Sequence, residues 1–191
     1  MARLIGNRKN VAVFISGRGS NLNSLIEYSK KKSCPIIIGL VISNNIKAKG
    51  LIYAKKSKIK IYVTNFKNQK ISEKKILKKI LNNNINLICL AGFMKILSKN
   101  FIKQFKKPIL NIHPSLLPKY KGLNTHKRII KNKEKYSGAT VHLVSEKLDS
   151  GKIILKKKIK VSKFDNGKTL EKKVLKIEHV LYPQAIKKFL V

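Results

Sequence analysis

The chain has no tryptophan, only two cysteines and five prolines, and eight acidic residues against 44 lysines and arginines. Each shortage closes off a class of protein. Cys34 and Cys89 stand singly in apolar runs with no CxxC pair, which excludes a disulfide framework and zinc-ligand spacing. Buried free thiols in a reducing compartment are the expectation. No apolar run approaches the roughly 18 residues of a membrane span. Residues 1–9 are basic but carry no apolar stretch, so no secretory signal is expected, and the segment reads as flexible. A cytoplasmic location follows. Linkers, repeats and low-complexity tracts are absent, so the 191 residues read as one domain, large enough for a core without staples.

The formal charge of +36 invites a nucleic-acid partner. Against it stands the scarcity of arginine, confined to Arg3, Arg8, Arg18 and Arg128. Base and phosphate recognition favours the forked guanidinium. The lysines are spread along the chain, and Lys, Asn and Ile are abundant together, as in the product of an AT-rich genome. The expectation is a solvated basic surface that attracts small anions, with no specific nucleic acid and no membrane as partner.

Short apolar runs alternate with amphipathic segments. Strands are expected at 11–16, 36–43, 61–64, 87–91, 109–113, 139–144 and 153–161, the last with edge character from its lysines. Helices are expected at 21–32, 47–58, 72–82, 98–105, 126–132 and 169–189, with Ser72 and Ser98 as caps. Leu51, Ile52 and Ala54 are taken as inward in the second helix, and Ile76, Leu77, Ile80 and Leu81 in the third. The alternation predicts an α/β fold with a mixed, mostly parallel sheet. Loops after Ser16, Ala91 and His113 leave the carboxyl ends of strands, where such sheets bind ligands.

Ser16-Gly17-Arg18-Gly19-Ser20-Asn21 follows the first strand and opens the first helix. Glycines allow close backbone approach, and the helix start offers N–H groups to an anion. Leu22 replaces the third glycine of a dinucleotide fingerprint, and Ser43-Asn44-Asn45 replace its acid. A single phosphomonoester is the better match; a tight turn without a ligand is the other reading.

Asn111 and His113 lie two apart at a strand end, just before Pro114-Ser115-Leu116-Leu117-Pro118. Residues i and i+2 project to one face, about 7 Å apart. A neutral amide donor beside a group that titrates near pH 7 suits oxyanion stabilisation and proton transfer in acyl or formyl transfer. A strand-end amide and a histidine satisfied by its neighbours fit equally. Among the acids, Glu27, Glu73, Glu134 and Glu171 read as solvated helix-surface groups. Asp149 sits in a Leu-Asp-Ser-Gly turn, where it either shapes the turn or pairs with His113 and raises its pKa. Glu178 on the last helix is either a ligand for sugar hydroxyls or a surface acid. His126 and His142 read as structural.

Five segments in order carry a resemblance: 15–22, 90–98, 111–122, 138–142, and Glu178-His179 with Tyr182-Pro183. Over residues 10–189 the chain resembles the phosphoribosylglycinamide formyltransferase family. The resemblance implies a single three-layer domain with a Rossmann-like N-terminal half. It implies formyl transfer from 10-formyltetrahydrofolate to the amine of glycinamide ribonucleotide in de novo purine synthesis. The amine attacks directly, through a tetrahedral intermediate, with no metal. His113, Asn111 and Asp149 would be catalytic, Asp149 raising the His113 pKa and ordering a water. Gly19, Ser20 and Asn21 would hold the substrate phosphate; Met94, Glu178 and Pro114 would line its ribose and glycinamide. Met94, Lys95, Ile96, Leu97, Asn111, Glu146, Lys147 and Leu148 would hold the folate, largely through backbone groups. A monomer or homodimer is expected.

Lys95 stands where the family commonly has Arg, and residues 67–70 match poorly. Methionyl-tRNA formyltransferases and formyltetrahydrofolate deformylases share the Asn-x-His core, but each adds a domain for which no residues remain here. The phosphate loop and Lys119-Tyr120-Lys121-Gly122-Leu123 favour the ribonucleotide enzyme. A non-catalytic nucleic-acid-binding protein would explain the charge and leave Asn111, His113 and Asp149 without a role.

Overall fold

The computed structural model describes residues 8–191. The fold is α/β, with the strands at 60–63, 36–43, 9–15, 87–90, 109–113, 136–143 and 153–160 adjacent in that order in one seven-stranded, mixed sheet. Two compact units divide the chain: one runs to Leu110 and includes Leu190–Val191, and the other is Asn111–Phe189.

In the first unit β1 (Lys9–Ile15), α1 (Ser20–Ser29), β2 (Ile36–Ser43), α2 (Leu51–Lys56), β3 (Lys60–Val63), α3 (Gln69–Asn82), β4 (Leu87–Leu90) and α4 (Lys99–Phe105) alternate. β1 pairs in parallel with both β2 and β4, and β2 with β3. This 3-2-1-4 order is the Rossmann-like arrangement that the resemblance implies for the N-terminal half. Val11 through Ile15 are all fully buried, as in a parallel strand covered on both faces.

The helix stripes need two corrections. Ile52 and Leu81 are 54% and 68% exposed. Leu51 and Ala54 already fill the inward face of the short α2, and α3 buries Ser72, Glu73, Ile76 and Ile80 along an i, i+4 seam. Ile52 and Leu81 each lie one residue, about 100° of turn, off their seam. Helix α3 also starts a turn earlier than expected. Asn68 Oδ1 accepts from Ile71 N at 3.1 Å as the cap, while Ser72 is buried and its Oγ accepts from Thr64 Oγ1 at 3.2 Å. Ser98 caps α4 as expected, accepting from Phe101 N at 3.0 Å. Of the expected flexible segment 1–9, residues 1–7 lie outside the described residues. Lys9 opens β1, and Arg8 donates to the carbonyls of Ser29, Lys31 and Lys32.

Strand β5 (Ile109–His113) crosses the boundary between the units. The second unit continues with α5 (Thr125–Lys131), β6 (Tyr136–Leu143), β7 (Ile153–Lys160) and α6 (Gly167–Leu190). β6 and β7 pair antiparallel, and Lys156, Lys157 and Lys158 keep the exposed character expected of an edge. No helix among the described residues is long and apolar enough to cross a membrane.

Candidate active site

The glycine-rich loop is fixed from two sides. Gly19 caps α1 with φ of 71°, in the left-handed region, and a Cβ there would lie 2.4 Å from Gly50 Cα. Gly50 N in turn donates to Gly17 O at 3.0 Å. Only glycine fits such a crossing, which sets the start of α1, where the first-turn amides have no helical acceptor. Gly19→Ala is therefore expected to lower the free energy of unfolding by at least about 2 kcal/mol in urea denaturation, combining φ strain with overpacking.

The loop after β4 is tied to the loop after β1. Ser16 N donates to Gly92 O at 3.1 Å, Met94 N donates to Ser16 Oγ at 2.7 Å, and Ser16 Oγ donates to Asn44 Oδ1 at 2.5 Å. Phe93 seats the loop, its ring edge-on to Phe14 at 5.3 Å and to Phe66 at 5.5 Å between centroids. Leu97 turns inward, while Met94 and Ile96 remain 64% and 68% exposed and Lys95 is also exposed.

In the second unit, the end of β5 brings Asn111 and His113 to a four-membered polar cluster. His113 Nε2 lies 2.8 Å from Tyr120 O, and Nδ1 lies 3.4 Å from Asp149 Oδ2. Asp149 Oδ2 also accepts from Gly122 N at 2.9 Å. His142, read from sequence as structural, belongs to the cluster. Its Nδ1 is 2.8 Å from Leu143 O and so carries a hydrogen; its Nε2 lies 3.2 Å from Asn111 Nδ2 and 3.6 Å from Asp149 Oδ1. His113, His142 and Asp149 are all buried. The signal that would have found His142 is its i, i+2 spacing from Thr140 in a strand, which puts the two polar side chains on one face, where both are buried. Thr140 braces the adjoining loop by donating to Ser115 O at 2.7 Å and accepting from Leu117 N at 3.1 Å.

The loop carrying Tyr120 and Gly122 has its own anchor. Glu134, expected on a helix surface, lies beyond α5, and its Oε1 accepts from Lys119 Nζ at 3.0 Å and from the Tyr120 hydroxyl at 2.9 Å. Pro114 follows His113 directly. Glu178 is buried on α6, and Glu146, Lys147 and Leu148 lie in the exposed turn between β6 and β7.

Asp149 raises the His113 pKa, as expected, but it does not decide the net shift. Burial pushes the His113 pKa down more strongly than the Tyr120 carbonyl and Asp149 push it up, and the net shift is below the ordinary value. A neutral ring with hydrogen on Nε2, donating to Tyr120 O, follows. Burial would raise Asp149, but the neighbouring His142 ring, the Gly122 N–H and the His113 ring outweigh it and hold the carboxylate below its usual range. The cluster at neutral pH is thus a carboxylate beside an imidazole able to accept a proton.

These shifts make the fold acid-sensitive. Burial also lowers His126 and His179. A histidine whose folded pKa is depressed binds fewer protons than its unfolded counterpart, so stability drops as pH falls below about 6.5. Asp149, also depressed, adds a further loss below about 3.9. Denaturant midpoints are expected to fall from pH 7.5 to pH 5.5, and the fall should be smaller in His126→Gln.

The chain matches the formyl transferase family over residues 9–186. It is 41% identical over 184 residues to the phosphoribosylglycinamide formyltransferase of Haemophilus influenzae, covering 95% of this chain and 87% of that one. It is 39% identical over 183 residues to the trifunctional purine biosynthetic protein adenosine-3 of Bos taurus, covering 94% of this chain but 18% of that protein. Among solved structures, the phosphoribosylglycinamide formyltransferase of Brucella melitensis superposes with a TM-score of 0.91 at 41% identity, with 96% of each chain covered.

Proposed function

The chain belongs to the formyl transferase family, and from that premise we propose that it moves a formyl group from 10-formyltetrahydrofolate to the amine of glycinamide ribonucleotide. The observation that carries the reading is the grouping of half-buried Asn111 with buried His113, His142 and Asp149, from β5, β6 and the turn after β6. Amine attack on a formyl carbon needs alignment, a donor for the oxyanion, and a route for one proton.

Each requirement has a residue. The amine nitrogen bonds to the formyl carbon as the carbonyl becomes an oxyanion. Asn111 offers its amide N–H to that oxygen. Neutral His113 takes the proton released by the amine, and Asp149 offsets the charge the ring acquires. The proton passes to N10 as the carbon–N10 bond breaks, which leaves formylated glycinamide ribonucleotide and tetrahydrofolate. Gly19, Ser20 and Asn21 take the phosphate, Met94, Pro114 and Glu178 the ribose and glycinamide. Residues 94–97 and 146–148, with Asn111, take the folate.

The test offers 10-formyltetrahydrofolate with three acceptors: glycinamide ribonucleotide, formylmethionine-accepting tRNA, and water alone. Turnover is expected with the ribonucleotide only. Transfer to tRNA or hydrolysis at a comparable rate would replace the reading with one of the related activities.

A further inference from the structure

Glu73 is one of eight acids in a chain of net charge +36, and it is 5% exposed in the middle of α3. Its surroundings consist of donors. Oε1 accepts from Ser98 N at 2.8 Å and from Gln69 Nε2 at 2.9 Å, and Oε2 accepts from Ser98 Oγ at 2.5 Å. The Gln69 amide reaches further and donates to Ile96 O at 2.9 Å. Two side chains one turn apart on α3 thus grip the backbone at Ile96 and Ser98. The other end of the same segment is gripped by Ser16 through Met94 N and Gly92 O. Between these grips the chain presents Met94, Lys95 and Ile96 outward. A solvated lysine or glutamine at position 73 would serve the helix as well; a buried carboxylate with its acceptor sites occupied serves the loop.

We propose that Glu73, assisted by Gln69, is a positioning residue that sets the backbone of residues 94–97 for the formyl donor. The inference rests on the reading that this segment holds the folate. Burial of the carboxylate is favourable only while Ser98 and Gln69 face it, so its charge fixes where the loop sits. The effect belongs to the donor and not to the acceptor or the chemical step.

The test compares wild type, Glu73→Gln, Glu73→Ala and Gln69→Ala in steady-state kinetics with 10-formyltetrahydrofolate and glycinamide ribonucleotide, and in thermal unfolding. Glu73→Ala is expected to raise the donor KM about tenfold while the ribonucleotide KM moves less than about twofold. Glu73→Gln keeps an acceptor for Ser98 N and should recover part of the loss. Gln69→Ala, at an exposed position, is the variant that folds if Glu73→Ala does not, and should raise the donor KM alone by a smaller factor. An active wild type whose variants lose melting temperature without a selective change in donor KM would overturn the inference and leave the activity standing. A wild type with no turnover would overturn the activity, and the inference with it.

Discussion

Replacement of His113 by alanine is expected to lower turnover by a factor of about 10² or more, with both KM values within a few-fold of wild type. The imidazole is the proton acceptor that the geometry supplies at the end of β5, 6% exposed and set between Tyr120 O and Asp149. Its depressed pKa keeps it unprotonated near neutrality, the state needed to receive a proton from an attacking amine. Removing it leaves Asn111 for the oxyanion but no relay from the amine to the leaving nitrogen. Partial activity should survive, because alignment and oxyanion contacts do not pass through His113. Circular dichroism and thermal unfolding of the variant separate this from a folding defect, since deleting a buried ring also opens a cavity. Near-native turnover in a folded variant would remove His113 from the chemistry.

How much of this was legible in the sequence depends on the range of the interaction. The strand at 36–43 and the strand at 109–113 have the predicted bounds because near-continuous apolar runs bounded by Pro35, Asn44, Pro108 and Pro114 leave little freedom. The Ser98 cap is local, set by the three residues that follow it, and it was readable for that reason. Ser72 looked the same by composition. The difference is that Asn68 lies a turn upstream and that β3 places Thr64 against Ser72, which no local pattern contains.

The acids show the limit most clearly. Glu73 and Glu134 stand among lysines and read as solvated, yet the partners that define them, Ser98 and Tyr120, are 25 and 14 residues away. The i, i+2 spacing of Asn111 and His113 was readable from strand geometry, whereas the place of His142 comes from strand pairing between distant segments. The Asp149 influence on His113 is readable and the net direction of the shift is not, for a related reason. A charged neighbour can be guessed from sequence, but the depth of burial that opposes it is a property of the assembled fold.

Asp149→Asn is expected to lower turnover by a factor of about 10 to 10² and to move the acidic limb of the rate profile toward lower pH. The substitution is a clean probe of charge. Asp149 has φ of 46°, in the left-handed region that asparagine tolerates at least as well as aspartate, so the turn survives. The carboxamide keeps an oxygen for Gly122 N. What disappears is the negative charge 3.4 Å from His113 Nδ1, one of the influences that raise the ring's pKa. Burial then acts with less opposition, the imidazole binds a proton less readily, and protonation that inactivates it occurs at lower pH. The intermediate in which His113 carries the transferred proton loses its counter-charge, which is why turnover falls although the ring stays neutral over a wider range. Because Asp149 acts through His113, the pair should be strongly non-additive. Adding Asp149→Asn to His113→Ala should cost less than about threefold beyond the single variant. A double variant that shows the product of the two losses, or an acidic limb that moves upward in Asp149→Asn, would mean that the carboxylate serves the substrate or the turn independently of the imidazole.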